Sequence, residues 1–290
     1  MKYYFIGALS LMLSTLLGSF GDAIMKFLSS AGFSWYHFFA IGNTFAMIGL
    51  LIAMHFVGGI KKNLTFKQYN VPIFRGIIFS VLPIIGFLSL NNIPISIFTS
   101  LMMLAPLNVV ILSYFILKEK IHYFSWIAVF FGFSGVLLFL QPSAGLNIFL
   151  LGPIIIALIN ALCFVLIKKY NDLGSPIGYT FFLWIFPTLW SYIFFLTDPI
   201  IPSVNHGIIM ICGCFFLLIS IFLTNYAYHQ ARNYTQYISP YIYSQILWGG
   251  LIGVIYFKEK IDLLMVIGVL MIIFSGVITM KKQPYSQNFV

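Results

Sequence analysis

Asp22 is an acidic side chain set inside an apolar run, eight residues after Ser14 and directly after Gly21. A charge in hydrocarbon is costly, so an ionisable residue there is a functional candidate by default. At helical spacing Asp22 shares a face with Ser14, Gly18 and Gly21, small residues that let another helix or a solute approach the backbone closely. The chemistry on offer is binding of a cationic group or of a proton. Lys26 follows four residues later on the same face. The competing reading is therefore an Asp22–Lys26 pair that satisfies itself near the interface. A pH-dependent uptake lost in Asp22→Asn favours the first reading.

A second polar stripe runs through Tyr237, Tyr241, Ser244, Gln245 and Trp248, whose offsets place them on one side of a helix. Tyr and Trp combine a flat stacking face with a polar tip, which suits an amphipathic solute that must also leave. The alternative is an aromatic helix packing on its neighbours. Pro240, within this stripe, removes a helical hydrogen bond and marks a hinge, as does Pro106 near Met102 and Met103. Asn225 and His229 stand one turn apart, with Arg232 beyond them. His229 titrates in the range needed for a proton relay, against the plainer role of packing. Asn160 and Trp184 are further lining candidates. Arg75, at the head of its run, reads as a charge snorkelling to the cytosolic side, with steering of an anionic group as the other option. His37, His55, His122 and His206 lie near run ends, where interfacial roles suffice. No metal centre is expected: Cys212-Gly-Cys214 is too closely spaced, with no His or Cys pair beside it.

These residues need a hydrocarbon scaffold. The 290 residues are 61% hydrophobic and 7% charged, whereas a soluble domain carries roughly 25% charge. That excludes a water-soluble domain. The net charge of +9 fits cytosolic loops beside anionic lipid rather than nucleic-acid binding. Lys2 and the apolar stretch after it run on past the usual length of a signal h-region, so this segment reads as a first span.

Two similar octapeptides, Tyr114–Ile121 and Val254–Ile261, each carry Lys-Glu-Lys-Ile about half the chain apart, and Phe-Ser-Gly follows each, at Phe133 and Phe274. Such spacing signals an internal duplication. Apolar runs long enough for spanning helices cover 3–28, 34–57, 71–90, 95–117, 122–140, 146–168, 176–196, 206–229, 235–257 and 262–280. The predicted fold is an all-α integral membrane protein of ten transmembrane helices, built as two five-helix repeats at 1–144 and 145–290. An odd number per repeat requires the second to be inverted. With both termini cytosolic, Lys2, Lys61, Lys62, Lys67, Arg75, Lys118, Lys120, Lys168, Lys169, Arg232, Lys281 and Lys282 fall inside. Only Lys26, Lys258 and Lys260 fall outside, a strong positive-inside bias. Glu119 and Glu259 then lie on opposite membrane faces and read as local caps on the first amides of the next helix.

Leu117-Lys-Glu119 and Phe257-Lys-Glu259, Arg75-Gly76, and the stretch Ser239-Pro-Tyr-Ile-Tyr-Ser-Gln-Ile-Leu-Trp-Gly-Gly250 resemble motifs of the drug/metabolite transporter superfamily, specifically its EamA-type ten-span members. The likeness covers nearly the whole chain. It implies ten helices, cytosolic termini, a central cavity between inverted halves and transport of small metabolites; the short connections and lack of an organelle address point to a bacterial cytoplasmic membrane. Gly21-Asp-Ala-Ile-Met-Lys26 is also similar, over that short stretch, to the S-adenosylmethionine uptake branch.

The function expected is a secondary active transporter of small metabolites, such as amino acids or S-adenosylmethionine-like amphipathic solutes. It would work by alternating access, with proton or exchange coupling. No phosphate-binding loop is present in the sequence, so no ATP use and no ATPase subunit are expected, and no cofactor is implied. The expected partners are the metabolite and membrane lipid, not nucleic acid, with the chain a monomer or homodimer. A lipid-linked sugar flippase is the alternative within transport. An intramembrane enzyme is the alternative outside it, without His-Glu-x-x-His or a second intramembrane Asp to support it.

Overall fold

The computed structural model describes residues 2–118, 123–140, 147–231, 239–260 and 262–281, and the regular structure among them is helical. In order these are α1 (Lys2–Ser30), α2 (Trp35–Phe56), the short α3 (Ile60–Leu64), α4 (Asn70–Phe79), α5 (Leu82–Asn92), α6 (Ile95–Met102), α7 (Leu104–Leu117) and α8 (Tyr123–Leu140). There follow α9 (Leu151–Lys169), α10 (Pro176–Phe195), α11 (Val204–Ala231), α12 (Ser244–Phe257) and α13 (Leu263–Lys281). A 3-10 turn, Ser239–Tyr243, leads into α12. In a bilayer every backbone amide must be satisfied internally, so long apolar runs become helices. Seven segments among the described residues are long and apolar enough to cross a membrane, and Tyr241–Phe257 and Leu263–Ser275 are shorter apolar helices. Large apolar side chains such as Phe56, Phe130 and Leu196 are exposed on the outside, a surface suited to hydrocarbon.

Two of the predicted runs are broken within their length. A proline ring clashes with the carbonyl four residues before it, and that rule locates both breaks. Helix α4 ends at Phe79, four before Pro83, and α6 ends at Met102, four before Pro106. Of the predicted 235–257 run, the described part opens with the 3-10 turn at 239–243 and becomes α-helical from Ser244.

Partners distant in sequence dominate the packing: α1 lies along α11, α8 against α13, α2 against α10, and α7 against α9. The small-residue face of α1 is the seat of α11. A Cβ on Gly21 would lie 2.5 Å from Leu217, and Ser14 Oγ donates to the Ser220 carbonyl at 2.7 Å. The two octapeptides share a backbone solution, since Lys118 and Lys258 both end their helices in the left-handed region at φ 55° and ψ 32°.

Candidate functional site

The interior holds a cavity of about 170 Å³ walled by α1, α2, α4, α5, α6, α7, α9, α10, α11, the 3-10 turn and the start of α12. Five residues singled out from the sequence meet there: Asp22, Asn160, Trp184, Asn225 and Gln245. The rest of the wall is mostly apolar and includes Phe39, Phe79, Phe98 and Leu217. Asp22 has one hydrogen-bond partner, Gln245, whose Nε2 donates to Oδ2 at 3.4 Å. A carboxylate can accept about four such bonds, so Asp22 retains most of its capacity for an incoming donor.

The Asp22–Lys26 pair expected as the plain alternative is not formed. Lys26 Nζ turns away and donates to the carbonyls of Ile93 at 2.7 Å and Leu90 at 3.3 Å. It also lies 3.9 Å from Glu259 Oε1 and over the Phe257 ring. Glu259 is likewise not a cap for the helix that follows it. Its two oxygens accept from the amides of Ile95 and Ser96 at 2.7 and 3.0 Å. It therefore caps α6, from the other half of the sequence. The N-terminal amides of α6 stand without intrahelical partners, and a carboxylate satisfies two of them while meeting the positive end of the helix dipole. Glu119 lies outside the described residues.

Arg75 is not a snorkelling charge: it is fully buried. Its Nε donates to the Cys163 carbonyl at 3.1 Å and its Nη2 to Asn225 Oδ1 at 3.2 Å. The guanidinium lies over the Tyr179 ring at 5.0 Å. Asn225 is locked in turn, with Nδ2 donating to Thr180 Oγ1 at 3.0 Å. Gly76 explains the burial. A Cβ there would approach the Phe182 carbonyl oxygen to 2.3 Å, so only glycine lets α4 come close enough to α10 to seal its neighbour Arg75 inside. Among the described residues, Arg75 Nη1 and Trp184 Nε1 have no hydrogen-bond partner.

The other candidates among the described residues are not part of the cavity wall. The 3-10 turn rotates the segment so that Ile242 and Gln245 face the cavity, rather than Tyr241 and Trp248. His229 reaches the carbonyls of Asn171 and Gly174 at 3.0 and 3.3 Å, tying the end of α11 to a connecting loop. His37 holds the start of α2: its Nδ1 accepts from Ser34 N–H at 3.1 Å, and its Nε2 lies 2.8 Å from the Asp198 carbonyl. Pro106 is buried behind Met102 and Ala105, which do line the cavity. Pro240 lies in the 3-10 turn, and Tyr237, Arg232 and His122 are outside the described residues. Thr15, Ser220 and Thr224 complete the polar wall. They escaped notice because small hydroxyls in an apolar run also satisfy themselves on their own helix.

No curated protein matches the sequence. Among solved structures 28 chains match. One of them, described as "Crystal structure of protein", aligns with a TM-score of 0.69 at 14% identity, covering 94% of this chain and 95% of that one. At such identity the likeness shows the fold alone, and shows it over nearly the full length. The segment that carries Asp22 and Arg75 is also similar to a known family: residues 5–141 match the EamA-like transporter family.

Proposed function

We propose that this protein is a secondary carrier of small solutes, working by alternating access between two inverted five-helix halves with both termini cytosolic. The observation that carries the reading is Asp22. It is an acidic group in the wall of a central cavity, its neighbouring lysine is committed elsewhere, and among the described residues one long hydrogen bond is its only partner. Buried ionisable groups in membrane proteins mark solute and proton pathways. The equivalent turns at Lys118 and Lys258 support a duplicated unit. So does the pairing of helices across the sequence midpoint, α1 with α11, α2 with α10, and α8 with α13. Coupling to a proton or to a counter-solute would use the same carboxyl.

The lipid-linked sugar reading needs a lateral route into the cavity. An apolar groove does exist between α7, α8 and α9, lined by residues such as Leu107, Trp126 and Phe130. Among the described residues its lining shares no member with the central cavity, which favours the metabolite carrier.

The test is solute counterflow in proteoliposomes, with a panel of amino acids, S-adenosylmethionine, nucleosides and organic cations. Wild-type protein is expected to exchange at least one solute class, and Asp22→Asn to lose that exchange. Undiminished exchange in Asp22→Asn would remove the carboxyl from the mechanism.

A further inference from the structure

One end of the cavity is closed by polar contacts between distant parts of the chain. Met25, Gly86 and Phe98 line the cavity. Lys26 follows Met25 directly, Leu90 lies one turn beyond Gly86, and Ile95 lies one turn ahead of Phe98. These are the residues joined there: Lys26 donates to the Leu90 and Ile93 carbonyls, and Glu259 accepts from the Ile95 and Ser96 amides. Helices α5 and α6 form a hairpin, turning at Ile93-Pro94 and set off by the breaks after Phe79 and Met102. The hairpin gives Leu82, Pro83, Gly86, Phe98 and Met102 to the cavity wall, and its tip is what Lys26 and Glu259 hold. Next to the tip, α12 meets α6 at glycines. A Cβ on Gly249 would lie 2.4 Å from Thr99, and one on Gly253 would lie 3.3 Å from Ile95. With glycine at both points, the two helices can shear past each other.

Two observations separate this contact from a fixed joint. The side chains of Lys26 and Glu259 keep 15% and 10% exposure, so water replaces each partner as they part and neither charge is left buried alone. Lys258, which directs Glu259 towards α6, is a non-glycine residue at φ 55°. Such backbone is costly, and it gathers at clamps and switch regions. We infer that Glu259, backed by Lys26, is the latch of a gate made by the α5–α6 hairpin. Latched, the hairpin seals this end of the cavity; released, it opens the cavity to the outer face in the orientation proposed above. The inference rests on the carrier reading and deepens it, assigning one contact that breaks and re-forms in each cycle.

The experiment is a distance measurement by pulsed electron paramagnetic resonance on the full-length protein in lipid nanodiscs, with its three cysteines replaced by alanine. One pair of spin labels, at the exposed Asn92 on the hairpin tip and the exposed Val204 at the start of α11, spans the latched end. A second pair, at the exposed Lys61 and Phe115, spans the opposite end. Without the substitution at Glu259, the first pair is expected to show mainly the short distance of the latched state. Glu259→Ala should raise the population at a longer distance roughly tenfold, because the latch stabilises only one of the two states. Lys26→Met should act in the same direction, and the second pair should not lengthen in either variant. Should Glu259→Ala fail to fold, Lys26→Met decides the matter in the same way. Unchanged distances at the first pair overturn the latch, and so does a lengthening of both pairs together, which reports general loosening. Neither result touches the carrier reading, which the counterflow assay decides separately.

Discussion

At the scale of single residues, Gly76 and Arg75 work as one unit. Helix α4 meets α10 at Gly76, where the Phe182 carbonyl and the Phe186 ring occupy the space a side chain would need. Gly76→Ala forces those helices apart or strains them, a cost of about 1–3 kcal/mol, so the midpoint of thermal unfolding in detergent should fall. An alanine at Gly250, with nothing within 4 Å of its Cβ position, should leave that midpoint within about a degree. Asp22 was legible in the sequence because an acid in an apolar run has few reasons to be there, and Asn225 and Gln245 for the same reason. Arg75 was not. Placed near a run's end, with a stem long enough to reach water, it reads as interfacial. Only the close packing at Gly76 and the cover of α10 decide otherwise, and neither is encoded within the run itself.

At the scale of helices, Glu259 is the most informative contact. It follows α12, yet its carboxylate closes the N-terminus of α6, and Lys26 of α1 backs it from the side. Three helices from distant parts of the chain are joined by one acid. Gly253 is part of the joint, because a Cβ there would lie 2.5 Å from Glu259 Oε2. Charge-assisted bonds to helix amides contribute about 1–3 kcal/mol each context allowing. Glu259→Ala should therefore lower the unfolding midpoint clearly, and Glu259→Gln, which keeps one acceptor, should lower it less. Equal losses for the two would mean that shape rather than charge holds the joint. The repeated Lys-Glu-Lys turns were visible in the sequence as a repeat, and their left-handed lysines are a local property. Where Glu259 docks is a tertiary fact, and helix periodicity carries no signal for it. Of the stripe read from periodicity, Gln245 reaches the cavity while Tyr241 and Trp248 do not, because the 3-10 turn at 239–243 sets the phase ahead of α12.

At the scale of the whole molecule, composition pointed to hydrocarbon as the solvent, and among the described residues the apolar runs gave the helical segments but not the breaks within them. The proline breaks after Phe79 and Met102 follow from a local steric rule applied to positions already in view. The order of packing around the cavity was beyond reach, because apolar faces are nearly interchangeable as partners in a chain with so few charges. The proposed orientation rests on twelve basic residues to one side and three to the other. Green fluorescent protein fused to either terminus should fluoresce, and alkaline phosphatase at the same positions should remain inactive. The opposite pattern at either end would break the inverted arrangement, since an even number of spans keeps the termini together.

Cys163 offers its backbone carbonyl to Arg75 while belonging to the cavity wall, and Cys214 is sealed where α2 meets α11. On the carrier function proposed above, the protein therefore contains a native cysteine in the wall of the solute cavity and an internal control away from it. With the exposed Cys212 replaced by alanine, a small, membrane-permeant methanethiosulfonate should modify Cys163 only during the intervals when the cavity admits it, leaving Cys214 untouched. Bound solute should slow that modification in proportion to occupancy. The interior then times its own opening, with no reporter group introduced.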